Sequence, residues 1–205
     1  QFKSAYLFTD GIAIVESSEG KFGYIGEDGK FIINPTYKFA SNFSEGLAFV
    51  TSENSFPTCI NNKGETKFVL KEAALVGVFH EGLAVIKIKD KFGYIDINGK
   101  TVINPQFEGI KNFSDGIAAV SIKKDKDSEA VWGYIGKKGK YIINPQFKSA
   151  NSFKEGMALV GDGKKFGFID KKGLYVINPQ FDEAEDFSDG FAVIRQGESY
   201  GFINT

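Results

Sequence analysis

The chain repeats one short phrase six times, and this repetition constrains the fold more than any other feature of the sequence. The first copy reads Phe8-Thr9-Asp10-Gly11-Ile12-Ala13, and the later copies keep the phenylalanine, an acid, the glycine and the alanine. Successive copies start 35, 36, 34, 40 and 34 residues apart, at Phe8, Phe43, Phe79, Phe113, Phe153 and Phe187. A period of this size indicates a tandem repeat in which each unit buries its apolar face against its neighbours.

Each unit is predicted to form three short strands joined by tight turns, because stretches of aromatic and β-branched residues are separated by glycine-containing segments typical of turns. In the unit that starts at Phe113, the strands are predicted over 117–120, 131–135 and 141–143. Asn144-Pro145 is predicted to end the third strand, since proline has no N–H for a strand ladder. Residues 146–150 are then expected to return, extended, to the next unit. The first strand carries a fixed alanine that is expected to pack closely on a neighbouring sheet, at Ala13, Ala48, Ala84, Ala118, Ala158 and Ala192.

The second strand of most units carries a glycine between two aromatic residues, as in Trp132-Gly133-Tyr134. Glycine weakens a strand unless another group needs the space beside it. We therefore expect a neighbouring backbone or ring to lie over this glycine. The second unit departs from the pattern: Phe56-Pro57-Thr58-Cys59-Ile60 replaces the aromatic-glycine stretch, and Val69-Leu70 replaces Asn-Pro.

The unit resembles the WG repeat, also called the KWG repeat, of bacterial proteins. Trp132-Gly133-Tyr134-Ile135 and Lys91-Phe92-Gly93-Tyr94-Ile95-Asp96 carry the resemblance, together with Pro105-Gln106-Phe107 and Pro179-Gln180-Phe181. It covers the whole chain except the second unit. The resemblance implies a tandem β repeat with a non-enzymatic use, and it brings no catalytic or ligand residues with it.

The predicted fold is all-β, with tandem three-stranded repeats in one domain over residues 1–205. Residues 1–7 read as the tail of a preceding unit, and the chain stops at Thr205, after the second strand of a sixth unit. Head and tail together make most of one further unit, which favours a propeller-like ring that is closed or nearly closed. An open β-solenoid is the alternative.

The bulk composition excludes several classes of function. Lys and Arg number 25 against 26 Asp and Glu, so no basic excess predicts a nucleic-acid partner. The longest apolar stretch, 73–79, is too short for membrane insertion. The chain begins with Gln1 and no leader, as expected of a mature form or of a piece of a longer protein. The sequence does not fix the compartment; a bacterial secreted or cell-envelope location is favoured over the cytoplasm.

No catalytic motif is visible, so the chain is expected not to be an enzyme and to use no cofactor or metal. His80, the single histidine, is expected to be a solvated turn residue, and Cys59 a buried small apolar residue rather than a reactive thiol. Each repeated phrase also carries one acid, which is expected to accept hydrogen bonds from its own turn rather than to bind a cation. These acids are Asp10, Glu45, Glu81, Asp115, Glu155 and Asp189.

The predicted function is a non-catalytic binding or scaffold module that presents loops to a protein or peptide partner. A functional surface is expected where the units differ, because shared residues are explained by the repeat. Two places differ: the insertion 123–129 and the irregular second unit. The alternative is a carbohydrate or cell-surface binding domain that uses exposed aromatic rings. The candidate partner-binding residues are Phe56, Cys59, Leu75, Phe79, Lys124, Asp127 and Trp132.

Overall fold

The structure is a computed structural model, and it describes residues 2–204. The described residues form β-strands, turns and bends, without a helix. The chain divides into two compact units, Gln1–Pro105 and Gln106–Thr205. The prediction of an all-β repeat fold is confirmed.

The first compact unit holds the first three sheets, and the last strand of the third passes into the second unit. The first sheet consists of β1 (Ser4–Ala5), β2 (Ile12–Glu16), β3 (Phe22–Gly26) and β4 (Phe31–Tyr37). The second consists of β5 (Phe39–Ala40), β6 (Leu47–Thr51), β7 (Thr58–Asn61) and β8 (Thr66–Val69). The third consists of β9 (Leu75–His80), β10 (Leu83–Ile88), β11 (Lys91–Asp96) and β12 (Thr101–Phe107).

The second compact unit holds the remaining three sheets. The fourth sheet consists of β13 (Gly109–Ile110), β14 (Ile117–Ile122), β15 (Val131–Gly136) and β16 (Tyr141–Phe147). The fifth consists of β17 (Ser149–Ala150), β18 (Ala158–Gly161), β19 (Phe166–Ile169) and β20 (Tyr175–Phe181). The sixth has three strands, β21 (Glu183–Ala184), β22 (Phe191–Gln196) and β23 (Ser199–Asn204).

Two details of the predicted repeat are wrong. Five of the six sheets have four strands rather than three, because part of the predicted return pairs with the next unit's first strand. This added strand has two residues in the first, second, fourth and fifth sheets and six residues in the third, where it is β9. The sixth sheet has the two-residue strand as well, as one of its three strands. Ser149 and Ala150, for example, lie opposite Gly161 and Val160. The third strand also continues through Asn144-Pro145 to Phe147 instead of ending there. The register between β15 and β16 shifts at this point, and such a bulge accommodates a residue that cannot donate to the ladder.

The glycine of the aromatic-glycine-aromatic pattern lies beneath this bulge. A Cβ placed on Gly133 would come within 2.6 Å of the Ile143 carbonyl oxygen and of the Pro145 nitrogen. Such a distance is far shorter than a normal contact, so only glycine fits without a shift. The prediction that a neighbouring backbone or ring lies over the glycine is confirmed, and the neighbour is backbone. The glycine and the Asn-Pro bulge therefore form one structural device in four of the sheets, at Gly23, Gly93, Gly133 and Gly167.

Each repeated phrase forms a two-residue β-hairpin. Asp115 and Gly116 both have positive φ values, 58° and 84°, as a type I′ turn requires. Ser114 and Ile117 close the turn with backbone hydrogen bonds of 3.0 and 3.3 Å. In three phrases the first phenylalanine packs on the second strand of the preceding unit, at Phe43, Phe153 and Phe187. Phe153, for example, packs on Tyr134 with ring centroids 4.9 Å apart.

The core lies between successive sheets inside each compact unit. All six fixed alanines are buried, as predicted: Ala13, Ala48, Ala84, Ala118, Ala158 and Ala192. The first strand is covered on both faces, since Ile117, Ala119 and Val120 are buried too. Because no unit covers both of its own faces, stability comes from the contact between neighbours.

Candidate functional site

The irregular second unit forms an apolar groove inside the first compact unit. The groove has a volume of about 280 Å³ and lies between residues of the second and third sheets. Its lining residues are Phe39, Phe49, Val50, Thr51, Pro57, Ala74, Leu75 and Val76. It is slightly smaller than pockets for drug-sized ligands, which hold ~300–1,000 Å³, and its size suits one or two side chains.

The groove exists because Pro57 stands where the other units have an aromatic ring. Val50 lies opposite Thr58, so Pro57 occupies the position opposite Thr51. In the fourth sheet, the corresponding position opposite Ser121 belongs to Trp132.

The fourth sheet shows how that position is filled in a regular unit. The indole of Trp132 lies over Gly109, so that a Cβ on Gly109 would be 2.9 Å from ring atom Cη2. In the second sheet, Phe39 stands in the place of Gly109, opposite Thr51. The fourth sheet thus has a small residue, Gly109, on its short strand and a large ring, Trp132, on its aromatic strand. The second sheet has the reverse arrangement, with the large Phe39 on its short strand and the smaller Pro57 before β7. The ring of Phe39 remains half exposed and does not cover the strand.

The groove is apolar from floor to rim. Phe49 is buried at the floor and stacks on Phe79, with ring centroids 5.5 Å apart. Phe39 and Leu75 present 52% and 49% of their surface to solvent. Thr51 is the one lining residue with a polar side chain. Such a site can bind an apolar group but supplies no acid, base or nucleophile.

The structure brings some of the predicted site residues to this groove. Leu75 forms part of its wall, and Phe56 is half exposed next to Pro57. Phe79 and Cys59 are fully buried, so neither side chain is accessible at the surface. Burial raises the pKa of the Cys59 thiol to about 12, which keeps the thiol protonated at neutral pH. Sequence reasoning missed Phe39, whose signal was a large ring where the fourth unit has a glycine.

The other predicted residues lie in the second compact unit. Lys124 and Asp127 are exposed in the loop between β14 and β15. Asp125 shapes this loop, since its Oδ1 accepts hydrogen bonds from the backbone N–H groups of Asp127 and Ser128 at 3.2 and 2.8 Å. Trp132 is half-buried and packs against the core of the fourth and fifth sheets. His80 ends β9 opposite Leu83, directly before the Glu81-Gly82 turn, and is half-buried.

The turn acids were expected to accept hydrogen bonds from their own turn, but the structure shows donors in the turn of the next unit. Glu45 Oε2 accepts a hydrogen bond of 2.9 Å from the N–H of Gly82, in the turn of the next unit. Asp115 accepts one of 3.3 Å from Gly156 in the same way. Glu45, Asp115 and Glu155 therefore link successive turns. Within residues 2–204, no three His, Cys, Asp or Glu side chains lie close enough to share a metal ion.

The structure contains no candidate for a membrane-spanning helix among the residues it describes.

Comparison with solved structures shows the fold. A eukaryotic initiation factor matches 99% of this chain and 63% of its own length, with a TM-score of 0.63 and 13% identity. Hsv2 from Kluyvelomyces marxianus matches 95% of this chain and 69% of its own, with a TM-score of 0.59 and 11% identity. The computationally designed Ika8 protein matches 97% and 69%, with a TM-score of 0.56 and 12% identity. The fold of this chain is therefore β-propeller-like.

Comparison of the sequence with curated proteins found no match. The sequence model of the family described as "WG containing repeat" matches residues 22–54, 92–126, 132–166 and 166–200, which is more than half of the chain. The longest unmatched stretch, 55–91, includes Pro57 and Leu75 of the groove. The resemblance inferred from the sequence is confirmed, and the chain belongs to the WG-containing repeat family.

Proposed function

We propose that this chain is a non-catalytic binding module whose apolar groove receives a side chain of a protein or peptide partner. The observation that carries the proposal is the groove itself. One unit of a regular array has lost the ring that fills this position, and Phe39 and Leu75 are left half exposed. A functional surface on a repeat scaffold is expected where one unit departs from the others.

The chemistry of the groove selects an apolar anchor. Burying a Leu or Phe side chain in it contributes about 1.5–3 kcal/mol by removal of apolar surface from water. This is too little for tight binding by one anchor, so flanking residues of the partner must add contacts along the exposed strands. A short segment of a protein fits this requirement better than a free small molecule does.

The experiment is a selection from a displayed peptide library with matched variants. Wild-type protein is used for selection, and Pro57→Phe for counter-selection, because phenylalanine restores the residue found in regular units and fills the groove. We expect peptides with a shared aromatic or aliphatic anchor, bound at least tenfold more weakly by Pro57→Phe and by Leu75→Asp. Leu174→Asp is the control, since Leu174 is also an exposed leucine, at 63%, but lies in the second compact unit.

Two outcomes count against the proposal. Selected peptides that bind Pro57→Phe as tightly as wild type would place the contact elsewhere. A selection that yields no shared anchor would remove the groove as a peptide site. Circular dichroism and thermal unfolding of each variant separate loss of binding from loss of fold.

Carbohydrate binding is the alternative function, and it has less support because it requires a free ring face. Trp132 is half-buried, with its indole over Gly109 and against the core. A glycan array on which the protein gives a signal that Trp132→Ala abolishes, with folding intact, would favour this alternative over the peptide site.

A further inference from the structure

A second cavity lies beside the groove, on the other side of the connection 71–74 that leads from β8 into β9. Its volume is about 170 Å³. Its apolar wall consists of Leu70, Ala73, Ile86, Ile88 and Ile95. The last residue of the connection, Ala74, lines the groove instead. The connection therefore separates the groove from this aliphatic cavity.

The second sheet lacks the bulge that the fourth sheet has in its outer strand. In the fourth sheet, residues 144–146 form the bulge, and Phe147 follows it, opposite Trp132. In the second sheet, Leu70 follows β8 directly, and its N–H donates a hydrogen bond of 2.9 Å to the carbonyl oxygen of Pro57. Because Pro57 holds the position of Trp132, Leu70 holds the position of Phe147.

The connection from the second sheet to the third is correspondingly longer. Four residues, 71–74, lie between Leu70 and β9, whereas Lys148 alone lies between Phe147 and β17. The N–H of Ala74 donates a hydrogen bond of 2.8 Å to the carbonyl oxygen of Lys87, which holds the end of the connection on the third sheet. The residues that form a bulge in the fourth sheet thus form the wall between two openings here.

Two aromatic rings fill the equivalent space between the fourth and fifth sheets. Phe147 is 3% exposed and shares one core cluster with Val160 and Ile169. Tyr175, the first residue of β20, packs edge-on against Phe147, with ring centroids 6.3 Å apart.

The second and third sheets keep the aliphatic residues of this arrangement but lack both rings. Ile86 and Ile95 have the same register to Ala84 as the aliphatic pair of the fifth sheet has to its own alanine. Leu70 stands in place of the phenylalanine, and Thr101, the first residue of β12, stands in place of the tyrosine. An aliphatic cavity of ~150 Å³ is enough to hold one benzene ring, so this cavity has room for one aromatic side chain.

The mouth of the aliphatic cavity carries a net positive charge. A shallow depression shares Glu72 with the cavity and continues to Lys89 and Lys91. Among the described residues that line the cavity and the depression, three are lysines, Lys71, Lys89 and Lys91, and one is acidic, Glu72. An acidic group beside an inserted ring is therefore favoured at this mouth.

We propose that the aliphatic cavity is a second subsite for the peptide partner, which inserts an aromatic side chain into it and places an acidic residue beside the lysines of its mouth. The proposal rests on the proposed function, since the same peptide fills the groove with its apolar anchor. The cavity and the groove meet at the neighbouring residues Ala73 and Ala74, so the two anchors are expected close together in the peptide sequence.

The test uses the dipeptide N-acetyl-Phe-Glu-amide as the probe, with N-acetyl-Phe-Lys-amide and N-acetyl-Ala-Glu-amide for comparison. Isoleucine methyl signals of the isotope-labelled whole protein are followed by NMR, because a bound ring shifts the signals of Ile86, Ile88 and Ile95. We expect saturable shifts with a Kd of about 1–10 mM for the first dipeptide. The dipeptide with lysine is expected to bind at least about threefold more weakly, and the one with alanine to cause no shift.

Thr101→Tyr is the decisive variant, because tyrosine restores the ring that begins β20 and fills the cavity. Leu70→Phe restores the other ring and is an independent second variant. Both are expected to abolish the methyl shifts. Val102→Tyr is the control and should leave them unchanged, since Val102 is 42% exposed next to Thr101 and lines neither opening. Thermal unfolding of each variant shows that loss of the shifts is not loss of the fold.

Pro57→Phe separates this subsite from the groove. It should leave the isoleucine shifts intact, whereas peptides selected on the wild type should lose affinity both in Pro57→Phe and in Thr101→Tyr. Selected peptides that need the groove but bind Thr101→Tyr as tightly as wild type would overturn this inference and leave the proposed function standing. Isoleucine shifts in a protein that selects no groove-binding peptide would support the aromatic subsite and remove only the groove.

Three further results would overturn the inference. They are methyl shifts that survive both Thr101→Tyr and Leu70→Phe, the absence of shifts at about 20 mM dipeptide, and self-association of the protein that Thr101→Tyr abolishes. The last result would assign the aliphatic cavity to a second copy of this chain.

Discussion

Glu155 Oε1 accepts a hydrogen bond of 2.7 Å from the backbone N–H of Asp189, the residue that holds the same place in the following turn. Its other oxygen accepts one of 2.9 Å from Gly190. Asp189 has a φ of 53°, so its amide belongs to a turn in the left-handed region that an outside acceptor helps to hold. Glu155 thus orders the next phrase, as Glu45 and Asp115 do in their units, which gives these three acids a reason to recur with the period of the core residues.

Replacing Glu155 with alanine is expected to destabilise the protein by about 1 kcal/mol, because two exposed charge-assisted hydrogen bonds are lost. Equilibrium urea unfolding measures the change. Glu198→Ala removes an exposed glutamate from a turn at the other end of the sixth sheet and serves as the control, with no shift of the midpoint expected.

The converse change tests the same relationship. Asp115 reaches Gly156 at 3.3 Å, whereas Glu45 and Glu155 reach their glycines at 2.9 Å. Asp115→Glu adds the missing methylene and is expected to shift the unfolding midpoint upward. If Glu155→Ala proves neutral and Asp115→Glu brings no gain, the link between successive turns contributes nothing measurable.

Gly133→Ala is expected to destabilise the protein by about 2–3 kcal/mol, because the new Cβ would lie 2.6 Å from backbone atoms of Ile143 and Pro145 that cannot give way cheaply. Gly201→Ala is the matched change in the same sequence pattern. It should be neutral, since its Cβ meets only Ile194 Cδ1 at 3.6 Å. Thermal unfolding of the two variants side by side gives the comparison, and equal losses would contradict it.

Cys59 is expected to resist alkylation in the native protein and to react at once in urea. The thiol is fully buried and its pKa is raised to about 12, so little thiolate forms at pH 8. Iodoacetamide labelling followed by mass spectrometry measures the fraction modified. Rapid labelling of folded protein would show that the second sheet opens readily around β7.

The raised pKa of Cys59 also predicts how the free energy of unfolding changes with pH. The native state holds this proton more tightly than the unfolded state, so its contribution to the free energy of unfolding falls as the pH rises from 9 towards 12. The decline should be shallower in Cys59→Ala than in wild type when urea midpoints are compared over this range.

The all-β repeat fold could be predicted from the sequence because each core position recurs in several units. Ala118 is predicted to be packed from its recurrence alone, and it is fully buried. Gly133 is predicted to lie under a neighbouring backbone or ring, and the structure places the backbone of Ile143 to Pro145, in the adjacent strand, over it. A residue type that recurs at the same place in several units indicates a structural role there, whereas a single copy of the motif would not.

The errors have a common physical cause. Ser149–Ala150 is too short to be recognised as a strand by any periodicity, and its pairing with β18 depends on where the next unit lies. The partner of Glu155 depends on the same placement, since the acceptor and donor are 34 residues apart. Contacts between units follow from three-dimensional stacking, about which spacing along the chain says little. The sequence showed the groove only as a departure from the repeat pattern around Pro57. The contribution of Phe39 to the groove was not predicted.

Tyr134→Phe is expected to destabilise the protein by about 1 kcal/mol, because the Tyr134 hydroxyl donates a hydrogen bond of 2.9 Å to the carbonyl oxygen of Asn151. Burial raises the pKa of Tyr134 above its ordinary range, so the hydroxyl remains a donor throughout the neutral range. Phe168 holds the same buried position in the next unit without a hydroxyl, which makes Phe168→Tyr the reciprocal test. Its hydroxyl should reach the carbonyl of Glu185, which follows it at the same 17-residue separation that joins Tyr134 to Asn151. Urea unfolding of both variants should therefore show a loss at 134 and no loss at 168; a neutral Tyr134→Phe would mean that water replaces the hydroxyl at Asn151 without cost.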